Sequence, residues 1–223
     1  MTDVPAAQPP PSVTVSPHWA TVPADTVLWR VHERRWPVAA FNPNEADPWF
    51  GGGRFDATSA DGYGYLYAAP EQQTALLETL VRSIPFNEKG HRLIKRAAVR
   101  AIQLAALQPT RDLLLVSLRS HIELAAVCQD EWLLQADPPD YPQTRQWGRW
   151  LREQAPGADG FIWRSRRRLD SDSLILFDDR CPGPVLKEVP GSEILLDDAD
   201  GARWLNKCLA EYRISVRLPA RSA

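Results

Sequence analysis

The residues of this 223-residue chain that could do chemistry are spread along it rather than gathered in one motif. Gly51-Gly-Gly-Arg54 ends a turn-rich segment that starts at Asn42, so Arg54 is delivered from a loop. In the short apolar run Val27-Leu-Trp-Arg-Val-His, strand alternation sets Trp29 and Val31 on one face. Arg30 and His32 then share the other, which makes His32 a further site candidate beside Arg30. Arginine is a planar, permanently charged fork that binds phosphate-type groups bidentately. Glu78 falls about a quarter-turn from Leu77 on the flank of an apolar helical stripe, a position that can look into a cleft at the edge of a core. Taken singly, each has a bland reading as well: a tight turn with a surface arginine, a weak surface salt bridge, an exposed helix glutamate. Arg164, Arg166, Arg167 and Arg168 form the strongest basic run, which either steers an anionic ligand or is a solvated face.

Several chemistries are absent. There is no Walker loop, HExxH, GxSxG or strand-linked GxGxxG. The four histidines have no ligand-like spacing, and Cys128, Cys181 and Cys208 form no CxxC pair, so no metal is expected. A formal charge of −2 and a pI near 6.1 argue against direct nucleic-acid binding. No apolar run approaches the length of a spanning helix, and the first residues lack a signal-peptide pattern, so no membrane association and a cytoplasmic location are expected.

The elements that must position these residues read as follows. Residues 1–24 are rich in proline (Pro5, Pro9 to Pro11, Pro17, Pro23) and are expected to form a flexible tail. Strands are expected at 27–32, 63–68, 113–118, 160–163 and 173–177. Pro70 opens a helix of about fifteen residues whose buried stripe is Leu76, Leu77, Leu80, Val81 and Ile84. Further helices are expected over 143–154, carrying Trp147, Trp150 and Leu151, and near 202–212, while 92–103 fits neither period. Short strands mixed irregularly with helices indicate an α+β fold, a single domain over 25–218 with a flexible end at 219–223.

In order and spacing, Leu28-Trp-Arg-Val, Gly52-Gly-Arg-Phe-Asp, Leu66-Tyr-Ala-Ala-Pro with Ala75-Leu-Leu-Glu, and Asp159-Gly-Phe-Ile-Trp-Arg-Ser-Arg resemble the RES-domain family of bacterial toxins. Thr110-Arg-Asp-Leu-Leu-Leu, Tyr141-Pro-Gln-Thr-Arg-Gln-Trp and Leu174-Ile-Leu-Phe extend the resemblance over nearly all of residues 27–215. Trp163 stands where a tyrosine is usual and Phe55 where a tryptophan is common, and neither change removes a reactive group. The resemblance implies an ADP-ribosyltransferase-like fold, with short twisted sheets flanked by helices. It also implies NAD as substrate, cleaved at the nicotinamide–ribose bond by hydrolysis or phosphorolysis, or used to ADP-ribosylate a protein acceptor. A non-catalytic nucleotide-binding module of the same fold is the alternative. The implied partner is an Xre-type helix-turn-helix antitoxin. The family's arginine, glutamate and serine fall on Arg30 (with Arg54 as the second arginine), Glu78 and Ser165. Glu78, Arg30 and Ser165 are thereby the expected catalytic groups, and Arg30, Arg54, Tyr67 and Ser165 the expected NAD-binding groups. In that chemistry positive charge develops on the ribose, a carboxylate stabilises it, and Tyr67 can stack on nicotinamide or ribose while Ser165 bonds a hydroxyl or the amide.

Overall fold

Period-two alternation along short strands builds two facing sheets with helices against both. The computed structural model describes residues 8–219. In chain order the elements are β1 (Trp19–Val22), β2 (Leu28–Glu33), β3 (Tyr65–Ala68), α1 (Gln72–Leu80), β4 (Arg92–Ile94), β5 (Ile102–Pro109) and β6 (Leu113–Leu118). There follow α2 (His121–Ala125), α3 (Trp132–Gln135), α4 (Tyr141–Gln154), β7 (Gly160–Arg164), β8 (Asp172–Phe177), β9 (Leu186–Glu188), β10 (Ile194–Leu195), α5 (Ala199–Cys208) and β11 (Ile214–Val216).

One sheet has the order β1-β6-β7-β8-β3, and a second has β10-β5-β2 with β9 also paired to β5. β6 and β7 run parallel, joined through α2, α3 and α4, whereas the other pairs in these two sheets are antiparallel. Mixed sheets with unevenly placed helices make the fold α+β, as expected from the sequence. Phe161 and Trp163 of β7, with Ile175 and Phe177 of β8, face α4 and pack on Trp147, Trp150 and Leu151. Their alternates Ile162, Leu174 and Leu176 face the second sheet and meet Leu28 and Leu107. α1 and α5 close a third cluster through Leu76, Leu77, Val81 and Leu205 against Leu104 of β5. A bridge from Trp29 to Ala69 ties the end of β3 to β2, so the two sheets meet where the candidate residues lie.

Two expectations are corrected, and a segment left open is resolved. The tail does not reach residue 24: Trp19–Val22 forms the edge strand of the five-stranded sheet, with Trp19 opposite Val116 and Val22 opposite Leu113. Ala20 and Val22 are its buried face, a four-residue signal that the surrounding prolines hide in any average over composition. Residues 1–7 of the expected tail, and 220–223 of the expected end, lie outside the described residues. α1 has nine residues rather than fifteen, because Ile84 precedes Pro85 and cannot hold a helical conformation comfortably; Leu80 and Ile84 pack at the edge of the core instead. Residues 92–103 split into β4, a 3₁₀ turn over Arg96–Val99 and the start of β5, which is why they fitted neither period. Among the described residues, no helix is long and apolar enough to cross a membrane.

Candidate functional site

A cavity of about 550 Å³ opens between β2, β3, α1 and the glycine loop, and Arg30, His32, Arg54, Tyr67, Glu78 and Arg82 all line it. Four of the five sequence-predicted site residues therefore share one wall system. Ser165, the fifth, is fully buried and does not reach the cavity.

The loop that carries Arg54 is held from below by α4. Arg145 is only 5% exposed, and its guanidinium donates to the carbonyls of Gly51 (2.8 Å), Gly53 (3.3 Å), Asp47 (2.9 Å) and Pro48 (3.4 Å). Thr144 Oγ1 donates to the carbonyl of Arg54 itself at 2.8 Å. Hydrogen bonds from a charged donor contribute about 1.5–3 kcal/mol each, so this set outweighs the entropy that would free a glycine-rich segment. Gly51 and Gly52 adopt φ of +62° and +72°, where side chains are strained. Gly53 is required for a different reason: its amide donates to Asp56 Oδ2 at 2.6 Å, and a Cβ there would stand 2.5 Å from Asp56 Oδ1. The other end of the Asp56 carboxylate accepts the Tyr67 hydroxyl at 2.8 Å, while Tyr67 Oη accepts the amide of Phe55 at 3.1 Å. Burial and the adjacent Asp56 carboxylate push the Tyr67 phenol well above its usual range, which fixes it as a neutral donor. Only the ring of Tyr67 is left for a ligand, edge-on to Trp163 at 6.3 Å.

Arg54 is 5% exposed, and burial lowers the pKa of its guanidinium, an effect that Tyr141, Glu78 and Tyr67 oppose and Arg82 adds to. Its Nε has no hydrogen-bond partner among the described residues. Arg54 and Arg82 both lie over the Tyr141 ring, at 5.8 and 5.0 Å. Arg82 also donates to the carbonyl of Gly52 at 3.1 Å. A desolvated cation with an unmet donor, beside a second cation, is a site prepared for an anion. Arg30 is partly committed elsewhere: Nη1 donates to the carbonyls of Val38 (2.6 Å) and Ala40, which anchors the segment leading into the cavity rim. Burial brings its pKa down to about 10.

Glu78 is half-buried on α1, on the flank of the Leu76–Leu77 face that the helical spacing predicted. Ser165 Oγ donates to Glu78 Oε1 at 2.5 Å and accepts the amides of Arg167 and Arg168, each at 3.1 Å. The Arg167 amide lies a further 3.4 Å from the same Glu78 oxygen. Ser165 is thus a positioning residue in the turn after β7, one that orients the carboxylate, and the expected direct contact of its hydroxyl with a ligand is corrected by its burial. His32 forms part of the wall but has both nitrogens engaged: Nδ1 meets the carbonyl of Glu33 at 3.1 Å and Nε2 meets Gln103 Nε2 at 3.2 Å. Burial, reinforced by Arg30, lowers its pKa to about 4, so it is neutral at neutral pH and has no free nitrogen to move a proton.

The basic run resolves mostly into a paired surface. Arg164 meets Asp172 at 2.9 Å, Arg166 meets Asp137 at 2.8 Å and Arg168 meets Asp170 at 3.2 Å. Asp56, Arg82 and Arg145 are the site residues that sequence reasoning missed. Arg145 left a signal: it sits four residues after Tyr141 and three before Gly148, within the buried stripe of α4, where a lone surface arginine does not belong.

Residues 27–199, more than half of the chain, match the RES domain family. Among solved structures, the chain is similar to one from the crystal structure of the M. tuberculosis MbcT-MbcA toxin-antitoxin complex, with a TM-score of 0.53 and 13% identity over 78% of this chain and 85% of that one. At that identity the likeness concerns the fold. Among curated proteins, no sequence matches.

Proposed function

The chain belongs to the RES domain family, and on that premise we propose that it is the toxin of a toxin–antitoxin pair that consumes NAD by cleaving the nicotinamide–ribose bond. The observation that carries this reading is the buried, incompletely bonded fork of Arg54 in the same cavity as a carboxylate held in place at Glu78. A cavity of about 550 Å³ is within the range of small-molecule and cofactor sites.

In this reading Arg54 and Arg82 clamp the pyrophosphate, the ring of Tyr67 stacks on nicotinamide or its ribose, and Arg30 adds charge while it fixes the rim. As nicotinamide leaves, positive charge grows on the ribose, and the fixed carboxylate of Glu78 stabilises it without reorganising. Water, phosphate or a protein side chain then attacks the same carbon, and the product identifies which. The likeness to a chain solved in a toxin–antitoxin complex supports a protein partner. We assign that role to an Xre-type helix-turn-helix antitoxin that covers the cavity in the cytoplasm.

The test is expression in a bacterial host with and without the neighbouring helix-turn-helix protein, following growth and intracellular NAD. The expected result is growth arrest with NAD loss, relieved by the partner, and release of nicotinamide by the purified chain. Undiminished NAD both in cells and with purified protein would overturn the NAD reading.

Ser165→Ala supplies a finer test. The variant leaves Glu78 charged but removes its closest donor, and loss of a hydrogen bond to a charged group corresponds to about ten-fold or more in rate if the orientation matters chiefly in the transition state. NAD affinity should stay within about two-fold of wild type, since the hydroxyl is buried behind the wall. A matching fall in affinity would make Ser165 merely structural.

A further inference from the structure

Behind Arg82 lies a second cleft of about 480 Å³, walled by the segment Arg82–Phe86, by Arg92 of β4, by Asp137–Pro138 and by Arg167. We propose that this cleft is a distinct binding site for a phosphate-class oxyanion, gripped by Arg92 and Arg167. The proposal does not rest on the NAD reading of the main cavity.

Arg92 and Arg167 line this cleft while the Arg82 guanidinium is committed to the Tyr141 ring and the Gly52 carbonyl, and the carboxylate on the cleft wall, Asp137, is engaged by Arg166 Nη1 at 2.8 Å. With Asp137 engaged by Arg166, Arg92 and Arg167 are the cations that the cleft offers. The Nε atoms of Arg92 and Arg167 are buried without a hydrogen-bond partner among the described residues. Such donors cost free energy unless something accepts from them, and an oxyanion can accept from two forks at once. Their directions are constrained by the surroundings: Arg92 stacks over the Phe86 ring at 4.1 Å, and Arg167 Nη2 donates to the Arg82 carbonyl. Burial and then the charges of Arg166 and Arg92 weaken the hold of Arg167 on its proton, an effect that Glu78 and Asp137 oppose, so Arg92 and Arg167 are close enough to repel each other. Ile84, Pro85, Phe86 and Pro138 give the cleft an apolar rim, so it has room for a phosphate carried on a larger molecule as well as for the free ion.

Arg167 is in the turn whose amides hold Ser165 and Glu78, so an anion fixed on its guanidinium would stiffen that turn.

The test uses the full chain in the Arg54→Ala background, which removes the fork of the main cavity, with inorganic phosphate titrated calorimetrically at constant ionic strength. The expected result is saturable binding, weakened about ten-fold or more by adding Arg92→Ala and less by adding Arg92→Lys, which keeps the charge. Circular dichroism checks that each variant is folded. Ribose 5-phosphate serves as a second probe: tighter binding than phosphate assigns the site to a phosphate monoester, and equal binding assigns it to the free ion. No saturable phosphate binding, or binding that both Arg92 variants leave unchanged, would overturn the proposal.

Discussion

Glu78→Gln is expected to lower NAD turnover by about 10²–10³-fold while leaving NAD affinity within a few-fold of wild type, the usual cost of losing one preorganised electrostatic contact. The substitution keeps the side chain's size, and the amide oxygen can still accept from Ser165 Oγ, so the packing on the flank of α1 is preserved. What disappears is a full negative charge, and that charge matters only once the ribose has become cationic. The nearby cations sharpen the contrast. Arg54 and Arg167 both feel Glu78 electrostatically, so the neutral variant leaves the site more positive and should hold an anionic dinucleotide at least as well. The measurement is single-turnover release of nicotinamide together with an independent affinity for NAD. Turnover within about three-fold of wild type would remove Glu78 from the chemistry, on the same scale of effects. Equal losses of turnover and affinity would make it a binding residue.

How far the site could be foreseen depended on whether a residue's surroundings were local. Arg30 and His32 share a strand face because alternation is a property of six consecutive residues. Glu78 falls beside the buried face of α1 because helical spacing is equally local, and the apolar alternation of β7 and β8 was legible on the same ground. The part that was hidden comes from distant chain segments. Nothing near Asp56 announces that its carboxylate joins Gly53 to Tyr67, and nothing near Arg82 places it over the ring of Tyr141, some sixty positions along the sequence. Ser165 shows the limit most clearly. Its partner is Glu78, 87 residues away, and only the tertiary fold that brings the turn after β7 to α1 shows its hydroxyl bonded to a carboxylate. β1 was hidden for another reason, since four strand residues between prolines carry too short a pattern to outweigh their neighbours.

The second large effect belongs to Arg54. Arg54→Ala is expected to weaken NAD binding by about 100-fold or more, since truncating one partner of a buried charged contact costs roughly 2–5 kcal/mol. Turnover at saturating NAD should fall much less, because a pyrophosphate clamp holds ground state and transition state alike. Stability separates this variant from an ordinary core deletion. In the free protein the guanidinium is desolvated and its Nε is unbonded, so removing it relieves a cost at the same time as it loses packing on Tyr141. The loop itself should survive, because Arg145 and Thr144 hold it through backbone carbonyls that the substitution leaves in place. Thermal unfolding close to that of wild type, with a much weaker Kd for NAD, is therefore the expected pair of results. Arg54→Lys should fall between the two, since it restores the charge without the bidentate fork. Wild-type affinity in Arg54→Ala would show that the clamp lies elsewhere and would leave its buried cation without a ligand; a large drop in melting temperature with no change in affinity would make Arg54 a structural residue of the loop.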